Sequence, residues 1–242
     1  LRICNTDKRN ALSVDMWNEL QRFANDTVGD HTVRVILVAG NNTEFSSGAD
    51  IQEFTELRAR GATHTYDNLV ENALRSLEAV PQTTVACIAG PCVGAGASLA
   101  CSCDIRIADE DAYFMIPAAR LGLGYDPRGI ARFVRVFGDS IVRNLLLGAQ
   151  RHEASAAHAQ GAVQRLVKPG TVLNECRILA RKIAQNAPLT MAAAKAALNE
   201  LAVGDAANEG IQQLALTADE SADYSEGLLA FQEKRKPRFQ GR

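Results

Sequence analysis

Aromatic residues are scarce in this sequence. Phe, Trp and Tyr together supply 5% of the 242 residues, whereas alanine alone occupies 39 positions. A core with few rings has to be filled by small side chains, so we expect helices and strands to pack at short distances. With 47% hydrophobic residues, the sequence is also too apolar for a disordered chain.

Long apolar runs and a surplus of one charge are also lacking. No run reaches the roughly 18 apolar residues of a membrane-spanning helix, so we predict no membrane partner. The 26 basic and 28 acidic residues give a net charge of −2, which argues against a nucleic-acid partner. We find no signal peptide and predict a cytoplasmic protein. The sequence opens at Leu1 in what reads as the end of a strand, which makes this a weak argument about targeting.

Metal-binding patterns are absent as well. The four histidines show no HExxH or other ligand spacing, and the Cys-Ser-Cys pair at 101–103 is too tight for a usual zinc pair. Six cysteines in a chain of this length do not form a dense disulfide framework. We interpret them as small buried side chains in a reducing compartment: Cys4, Cys87, Cys92, Cys101, Cys103 and Cys176. The sequence therefore predicts no metal site.

The hydrophobic pattern of the first half predicts alternating helices and strands. Ser13 is placed to cap a helix that runs to about Val28. Buried strands are predicted over 32–39 and 83–89, with a helix over 66–79 between them. A short helix over 93–101 and short strands over 105–108 and 112–115 follow. This order is typical of an α/β fold with crossover connections.

After about Asp139 the pattern becomes helical. Helices are predicted over 140–147, 154–160, 172–185, 188–203, 206–220 and 225–234. A late block of helices on an α/β body often covers an interface. We therefore divide the chain into a core of residues 1–185 and a C-terminal helical region of residues 186–242. The polar segment 52–65 is expected to be mobile or weakly helical.

Two loops that follow buried strands combine glycine with small neighbours. One is Phe-Ser-Ser-Gly-Ala-Asp at 45–50, and the other is the glycine-rich segment 90–98. Small residues let a ligand approach the backbone, and N–H groups at a helix start favour negative charge. Two such N–H groups that converge form an oxyanion hole for an enolate. From spacing alone, the glycines could equally serve only to permit tight turns and close helix packing. A dinucleotide site is disfavoured, because Leu99 occupies the third glycine position of the G-x-G-x-x-G motif.

Four ordered segments carry a family resemblance. Residues 45–50 and 88–105 resemble the two signatures of the crotonase (enoyl-CoA hydratase/isomerase) superfamily. Asp-Lys-Arg-Asn-Ala-Leu at 7–12 resembles its N-terminal motif, and the basic segment 231–239 resembles its C-terminal motif. The resemblance thus covers essentially the whole chain.

This resemblance implies an α/β fold, a spiral of ββα turns followed by C-terminal trimerisation helices, assembled as a homotrimer or hexamer. It implies an acyl-CoA thioester substrate and no separate cofactor, because coenzyme A is part of that substrate. The backbone N–H groups of Ala49 and Ala95 would hold the thioester oxygen, although glycine is frequent at the second position. The resemblance places the CoA moiety near Lys8, Arg9, Ala11, Ile51 and, often from a neighbouring subunit, Lys234.

Two positions depart from the hydratases of this superfamily. Those enzymes use two glutamates to hold and deprotonate a water and to protonate the α-carbon. Counted residue by residue, the positions hold Ser98 and Ala118 here. Ser98 can hydrogen-bond a substrate, but no histidine lies near it in sequence to activate it as a nucleophile. Simple hydration is therefore disfavoured.

The loop over 121–129 offers replacements. Asp126 resembles the acid/base aspartate of dienoyl-CoA isomerases. Tyr125 resembles the active-site tyrosine of methylmalonyl-CoA decarboxylase-like members, in which case Arg120 or Arg128 would hold the substrate carboxylate. Asp and Pro are also turn formers, so a plain turn at this place stays open.

We favour an acyl-CoA enzyme that stabilises an enolate and transfers a proton through Asp126, as an isomerase does. A decarboxylase that uses Tyr125 and an acyl-CoA-binding protein without catalysis stay open as alternatives. An RNA-binding or scaffold role has only the basic tail at 234–238 behind it and is disfavoured.

Overall fold

The structure is a computed structural model that describes residues 1–59, 63–201 and 209–242. Its strands are β1 Val35–Ala39, β2 Thr83–Ile88, β3 Pro91–Val93, β4 Ile105–Asp109, β5 Tyr113–Met115, β6 His152–Glu153 and β7 Arg165–Val167. Its first helices are α1 Val14–Val28, α2 Ile51–Ala59, α3 Thr63–Ala79, α4 Ala95–Cys101, α5 Pro127–Phe137 and α6 Asp139–Leu147. The later ones are α7 Ala154–Ala159, α8 Val172–Ile183, α9 Pro188–Leu201, α10 Glu209–Asp219 and α11 Ala222–Gln232.

Two sheets form the body of the protein. The larger sheet has the order β1-β2-β4-β7, and all its neighbouring strands are parallel. The smaller sheet has the order β3-β5-β6, with β3 and β5 parallel and β6 antiparallel. Parallel neighbours require crossover connections, and helices α3 and α4 lie in the crossovers of the larger sheet. The predicted α/β class is confirmed.

One predicted boundary holds and another is shifted, each for an identifiable reason. Ser13 caps α1, and its hydroxyl accepts the Met16 N–H at 3.2 Å, as expected. The strand predicted from residue 32 begins only at Val35, because Thr32 is held in a turn by Asp30. Part of the segment predicted to be mobile or weakly helical is α2, while residues 60–62 lie outside the described part.

One predicted helix starts too early, and another helix was not predicted. The helix expected over 93–101 begins at Ala95, because residues 91–93 pair with β5 and Gly94 turns the chain with φ 51°. Helix α5 was not predicted, and Asp126 with its following proline was left open as a plain turn. They are instead the N-cap and first residue of the helix, which are equally favourable positions for Asp and Pro.

The C-terminal helices are joined to the larger sheet by a buried lysine. Lys195 of α9 forms an ion pair with Asp104 at 2.9 Å and donates to the carbonyl oxygen of Gln82 at 3.0 Å. The predicted helix over 206–220 starts outside the described residues and is seen as α10. The division of the chain at residue 185 stays a prediction.

Small side chains fill the interior, as the composition predicts. Ala73, Ala86, Ala97 and Ala100 are fully buried among the large core residues. The prediction of buried cysteines is confirmed for all but Cys4, which is exposed. Cys4 follows buried Ile3 in an extended segment beside β1, where successive side chains point to opposite sides.

None of the helices in the described ranges combines the length and the apolar character that crossing a bilayer would require.

We predict that Gly90→Ala destabilises the protein far more than Gly170→Ala. Both glycines have positive φ, 55° and 78°, so both alanines carry the left-handed penalty of about 1–2 kcal/mol. A Cβ on Gly90 would also lie 2.1 Å from the carbonyl oxygen of Thr43, whereas nothing lies within 4 Å of one on Gly170. We expect a total cost of about 3 kcal/mol or more at Gly90. Denaturant unfolding of both variants checks this, and equal costs would contradict it.

Candidate functional site

One cavity collects most of the residues singled out from the sequence. Its walls come from the loop at 47–49, from one face of α3, from the start of α4 and from the segment 116–126 with the start of α5. Among its lining residues are Ala49, Ala95, Ser98, Ala118, Tyr125 and Asp126. The structure therefore brings the two glycine-containing loops and the Tyr125 loop to one cavity.

The backbones of the two glycine-containing loops touch. A Cβ built on Gly94 would lie 3.9 Å from Gly48 Cα, and one on Gly48 would lie 3.9 Å from the Ala95 nitrogen. Both glycines have positive φ, 114° and 51°, which other residues rarely adopt. Within the described residues, neither Ala49 nor Ala95 donates its N–H to an acceptor. Two unpaired donors on adjacent backbones at a cavity wall are the elements of an oxyanion hole.

Ser46 holds this arrangement from below. Its hydroxyl donates to the Asn10 carbonyl at 2.8 Å and accepts the Gly48 N–H at 3.2 Å. Its carbonyl oxygen accepts the Val93 N–H at 3.0 Å, which ties the first loop to β3. Gly96 has to be glycine, because a Cβ there would lie 2.6 Å from Ser46 Cβ. The positions of the Ala49 and Ala95 N–H groups thus depend on buried Ser46 and on the absence of a side chain at Gly96.

Ser98 and Tyr125 form a hydrogen-bonded pair in the cavity wall. Their hydroxyl oxygens are 3.0 Å apart. The Tyr125 ring packs near Phe133, with the ring centroids 5.7 Å apart, and over Gly129, where a Cβ would lie 2.9 Å from Cε1. Burial raises the pKa of Tyr125 to about 12, although the bond with Ser98 opposes this shift. Tyr125 is therefore a neutral hydroxyl donor at physiological pH.

Asp126 lies in the cavity wall but is tightly bound to its own helix. Its carboxylate accepts the Arg128 N–H at 2.8 Å as the N-cap of α5 and forms an ion pair with the Arg128 guanidinium at 2.5 Å. The Arg128 side-chain hydrogen bond is the main reason that the pKa of Asp126 is lowered. Asp126 is thus a carboxylate at neutral pH, as a proton acceptor requires.

The predicted carboxylate-binding arginines are not those that the structure places at the cavity. Arg120 donates to the Ala149 carbonyl, and neither it nor Arg128 is among the described residues that line the cavity. Arg132, which the sequence reasoning missed together with α5, does line it, as does Glu71 of α3. The signal that could have identified Arg132 is an arginine on the apolar face of an amphipathic helix.

Four of the five expected CoA contacts, all but Lys234, lie beside the first loop. Residues 8–12 run along it, with Leu12 N–H bound to the Gly48 carbonyl at 2.7 Å. Lys8 forms an ion pair with Asp50 at 2.6 Å, which lowers the pKa of Asp50. Arg9 pairs with Glu44 at 2.6 Å. Ala11 is buried, Ile51 is 55% exposed and lines the cavity, and Lys234 is not among the described lining residues.

The described part of the chain shows no candidate metal site. There, His, Cys, Asp and Glu side chains do not gather in groups of three that could hold an ion.

Comparison with known sequences gives a match along the entire chain. The family model described as enoyl-CoA hydratase/isomerase matches residues 1–242. A putative enoyl-CoA hydratase of Thermus thermophilus is 33% identical over 238 residues, which cover 96% of this chain and 93% of that protein. The 2,3-dehydroadipyl-CoA hydratase of Escherichia coli is 32% identical over 236 residues, 96% of this chain and 89% of that protein.

Solved structures agree with the sequence match. An enoyl-CoA hydratase/carnithine racemase from Magnetospirillum magneticum superimposes with a TM-score of 0.94 at 32% identity, over 100% of this chain and 91% of that one. An enoyl-CoA hydratase from Bacillus anthracis gives a TM-score of 0.88 at 28% identity, over 100% and 94%. The predicted crotonase-like α/β fold is confirmed.

We predict that Ser98 and Tyr125 are energetically coupled. Ser98→Ala and Tyr125→Phe each leave the other hydroxyl without its partner, so the double variant should cost less than the sum of the single ones. The expected coupling is about 1 kcal/mol in the free energy of unfolding. Tyr113→Phe is the control, because its ring stacks on Arg151 at 3.5 Å instead. Additive effects of Ser98→Ala and Tyr125→Phe would show that the hydrogen bond contributes nothing.

Proposed function

Because the chain belongs to the enoyl-CoA hydratase/isomerase family, we propose that this acyl-CoA enzyme forms a thioester enolate and isomerises a carbon–carbon double bond. Asp126 would carry the proton between carbons, while the backbone N–H groups of Ala49 and Ala95 hold the charge that develops on the thioester oxygen. Coenzyme A enters as part of the substrate, and no separate cofactor is required.

The pair of N–H groups without acceptors is the observation that carries the proposal. An enolate oxygen needs donors that are already in place, because reorganising them during the reaction would raise the barrier. Backbone hydrogen bonds that hold the two loops together, such as Val93 N–H to the Ser46 carbonyl oxygen at 3.0 Å, support such preorganisation. One such donor is worth about 10²–10³ in rate, or about 2.7–4 kcal/mol.

The acid/base groups available in the cavity favour isomerisation over hydration. Hydration requires groups that hold a water and deprotonate it, and Ser98 and Ala118 supply no carboxylate for this. A double-bond shift requires only one proton acceptor that later returns the proton. Asp126 takes a proton from the carbon next to the thioester, and the electron pair moves into the enolate. Asp126 then returns the proton at the far carbon of the allylic system, and the electron pair returns to form the new double bond.

A second candidate is decarboxylation of a methylmalonyl-CoA-like substrate. The Ser98–Tyr125 pair favours it, because a tyrosine with a pKa of about 12 is a stable donor in a reaction without an acid/base carboxylate. Loss of CO₂ leaves its electron pair in the same enolate. Arg120 and Arg128, the arginines expected to hold the departing carboxylate, are engaged elsewhere, and Arg132, which lines the cavity, already pairs with Glu71 and Glu78. This weakens the candidate relative to isomerisation.

A third candidate is an acyl-CoA-binding protein without catalysis. The ion pair of Asp126 with Arg128 supports it, because a base that is already bound is a poor proton acceptor.

We also propose a homotrimer or a hexamer formed through the C-terminal helices, in the cytoplasm. Large apolar side chains exposed on α9 to α11 support the assembly, since a chain alone in water rarely leaves so many unburied: Leu198, Leu201, Leu214, Leu216, Leu228, Leu229 and Phe231. Light scattering coupled to size-exclusion chromatography would give the mass of the assembly.

Substrate assays test the three candidates directly. The purified protein is incubated with 3-enoyl-CoA, 2,4-dienoyl-CoA, crotonyl-CoA and methylmalonyl-CoA, and products are followed by mass spectrometry. We expect isomerisation of an unsaturated thioester and a loss of at least about 10²-fold in Asp126→Asn. Asp139→Asn is the matched control, because this aspartate also pairs with an arginine at a helix start but is 67% exposed. Crotonyl-CoA hydration that survives Asp126→Asn would contradict the proposal.

The same assays separate the other two candidates. Decarboxylation that is lost in Tyr125→Phe would favour the second candidate. Binding of CoA thioesters without any turnover would favour the third.

The pH dependence gives a separate prediction. Because Arg128 lowers the pKa of Asp126, the carboxylate persists into acidic solution, and activity should fall only below the usual aspartate range. Arg128→Gln removes the largest cause of the shift, so the acid limb of the kcat/KM profile should move to higher pH. Arg120→Gln leaves Asp126 untouched and serves as control. An acid limb that stays in place in Arg128→Gln would mean that Asp126 is not the titrating base.

A further inference from the structure

A buried ion cluster forms part of the cavity wall, and the proposed reaction does not use it. Glu71 and Arg132 both line the cavity and are 7% and 5% exposed. They join α3 to α5, with Arg132 Nη2 3.1 Å from Glu71 Oε2. Val70 and Leu74, which flank Glu71 on α3, give the same wall an apolar surface suited to an acyl chain.

Arg132 has one donor nitrogen left over. Its Nε donates to Glu78 at 2.9 Å, and its Nη2 donates to Glu71 and Glu78. Its Nη1 is buried and has no hydrogen-bond partner in the described part of the chain. A buried guanidinium N–H without an acceptor is unfavourable, so an oxygen supplied by a ligand would stabilise this site.

Glu71 has one acceptor oxygen that is only loosely engaged. Its Oε2 accepts from Arg132, while Oε1 has a long contact of 3.7 Å with Arg75, a side chain that is 73% exposed. A water-exposed arginine at this distance is a weak partner. Arg132 and Glu71, which both line the cavity, therefore hold one donor without an acceptor and one acceptor with only a weak partner.

The charges around this pair already balance. Four carboxylates and four guanidinium groups surround this side of the cavity: Asp67, Glu71, Glu78 and Asp126 with Arg75, Arg128, Arg132 and Arg135. A further buried carboxylate would carry an uncompensated charge, which is costly in a poorly solvated site. A neutral group that both accepts and donates a hydrogen bond fits better.

We propose that the cavity selects acyl-CoA thioesters whose chain carries a hydroxyl group beyond the reacting carbons. The hydroxyl oxygen accepts from Arg132 Nη1, and its hydrogen is donated to Glu71 Oε1. This recognition rests on the proposed acyl-CoA function of the same cavity and adds the substrate class to it.

Binding to the unaltered protein tests this directly. Calorimetry compares hexanoyl-CoA with its 4-, 5- and 6-hydroxy derivatives, with 5-oxohexanoyl-CoA and with adipyl-CoA, all of which lack a double bond. We expect one hydroxy isomer to bind at least about tenfold more tightly than hexanoyl-CoA, which corresponds to about 1.4 kcal/mol. The 5-oxo compound, which accepts but cannot donate, should gain less. Equal affinity of hexanoyl-CoA and all its hydroxy isomers, or tighter binding of adipyl-CoA than of any of them, would overturn the proposal.

Variants separate recognition from a purely structural ion pair. Arg132→Lys keeps the positive charge but removes the Nη1 donor. Glu71→Gln keeps the side-chain shape but removes the negative charge. Both should reduce the hydroxyl preference to within about twofold. Arg135→Lys is the control, because Arg135 pairs with Glu78 in the same cluster but is not among the lining residues. A preference that survives in both Arg132→Lys and Glu71→Gln would refute the assignment.

The outcomes also separate this inference from the function beneath it. Binding of hexanoyl-CoA without any gain from a hydroxyl rejects hydroxyl recognition alone. Failure of every CoA thioester to bind rejects the acyl-CoA function of the cavity, and hydroxyl recognition with it.

Discussion

The contact between two loop backbones at Gly48 and Gly94 is the constraint on which the site depends. Both residues adopt positive φ, a backbone conformation that favours glycine, and the Val93 N–H bond to the Ser46 carbonyl oxygen holds the two loops together. The approach places the N–H groups of Ala49 and Ala95 at one cavity wall. Ser46, buried beneath them, binds the strand on one side and the N-terminal segment on the other. A change that separates these backbones would remove the donors without touching any side chain in the cavity.

Polar groups in this cavity come mainly from the side formed by α3 and α5. The start of α4 and the segment at 117–121 carry Ser98 and Ala118, which are small. Tyr125 and Asp126 lie at the start of α5, and the ion pair of Glu71 with Arg132 joins α5 to α3. Because these groups share one helix, the orientation of α5 governs both the proposed proton acceptor and the proposed hydroxyl recognition.

Local patterns predicted most of the fold, and they failed where one residue type serves two purposes. Ser13, followed by apolar residues at helical spacing, gave α1 with its cap. A helix was predicted from residue 93, yet β3 occupies Pro91–Val93, because its pairing with β5 could not be seen locally. Asp126 and Pro127 begin turns and helices alike. Because α5 was not predicted, Arg132, which lies on this helix, was not recognised as a cavity residue.

The sequence by itself determined the family, the α/β class and the glycine-rich loops, because these are carried by consecutive residues with local conformational preferences. It also determined that Ser98 and Ala118 cannot act as the two acid/base carboxylates of a hydratase. Only the tertiary structure decided that Ser98 bonds to Tyr125 and that Arg132 rather than Arg120 lines the cavity. These facts depend on contacts between segments far apart in the chain, and packing sets those contacts, not the preferences of neighbouring residues.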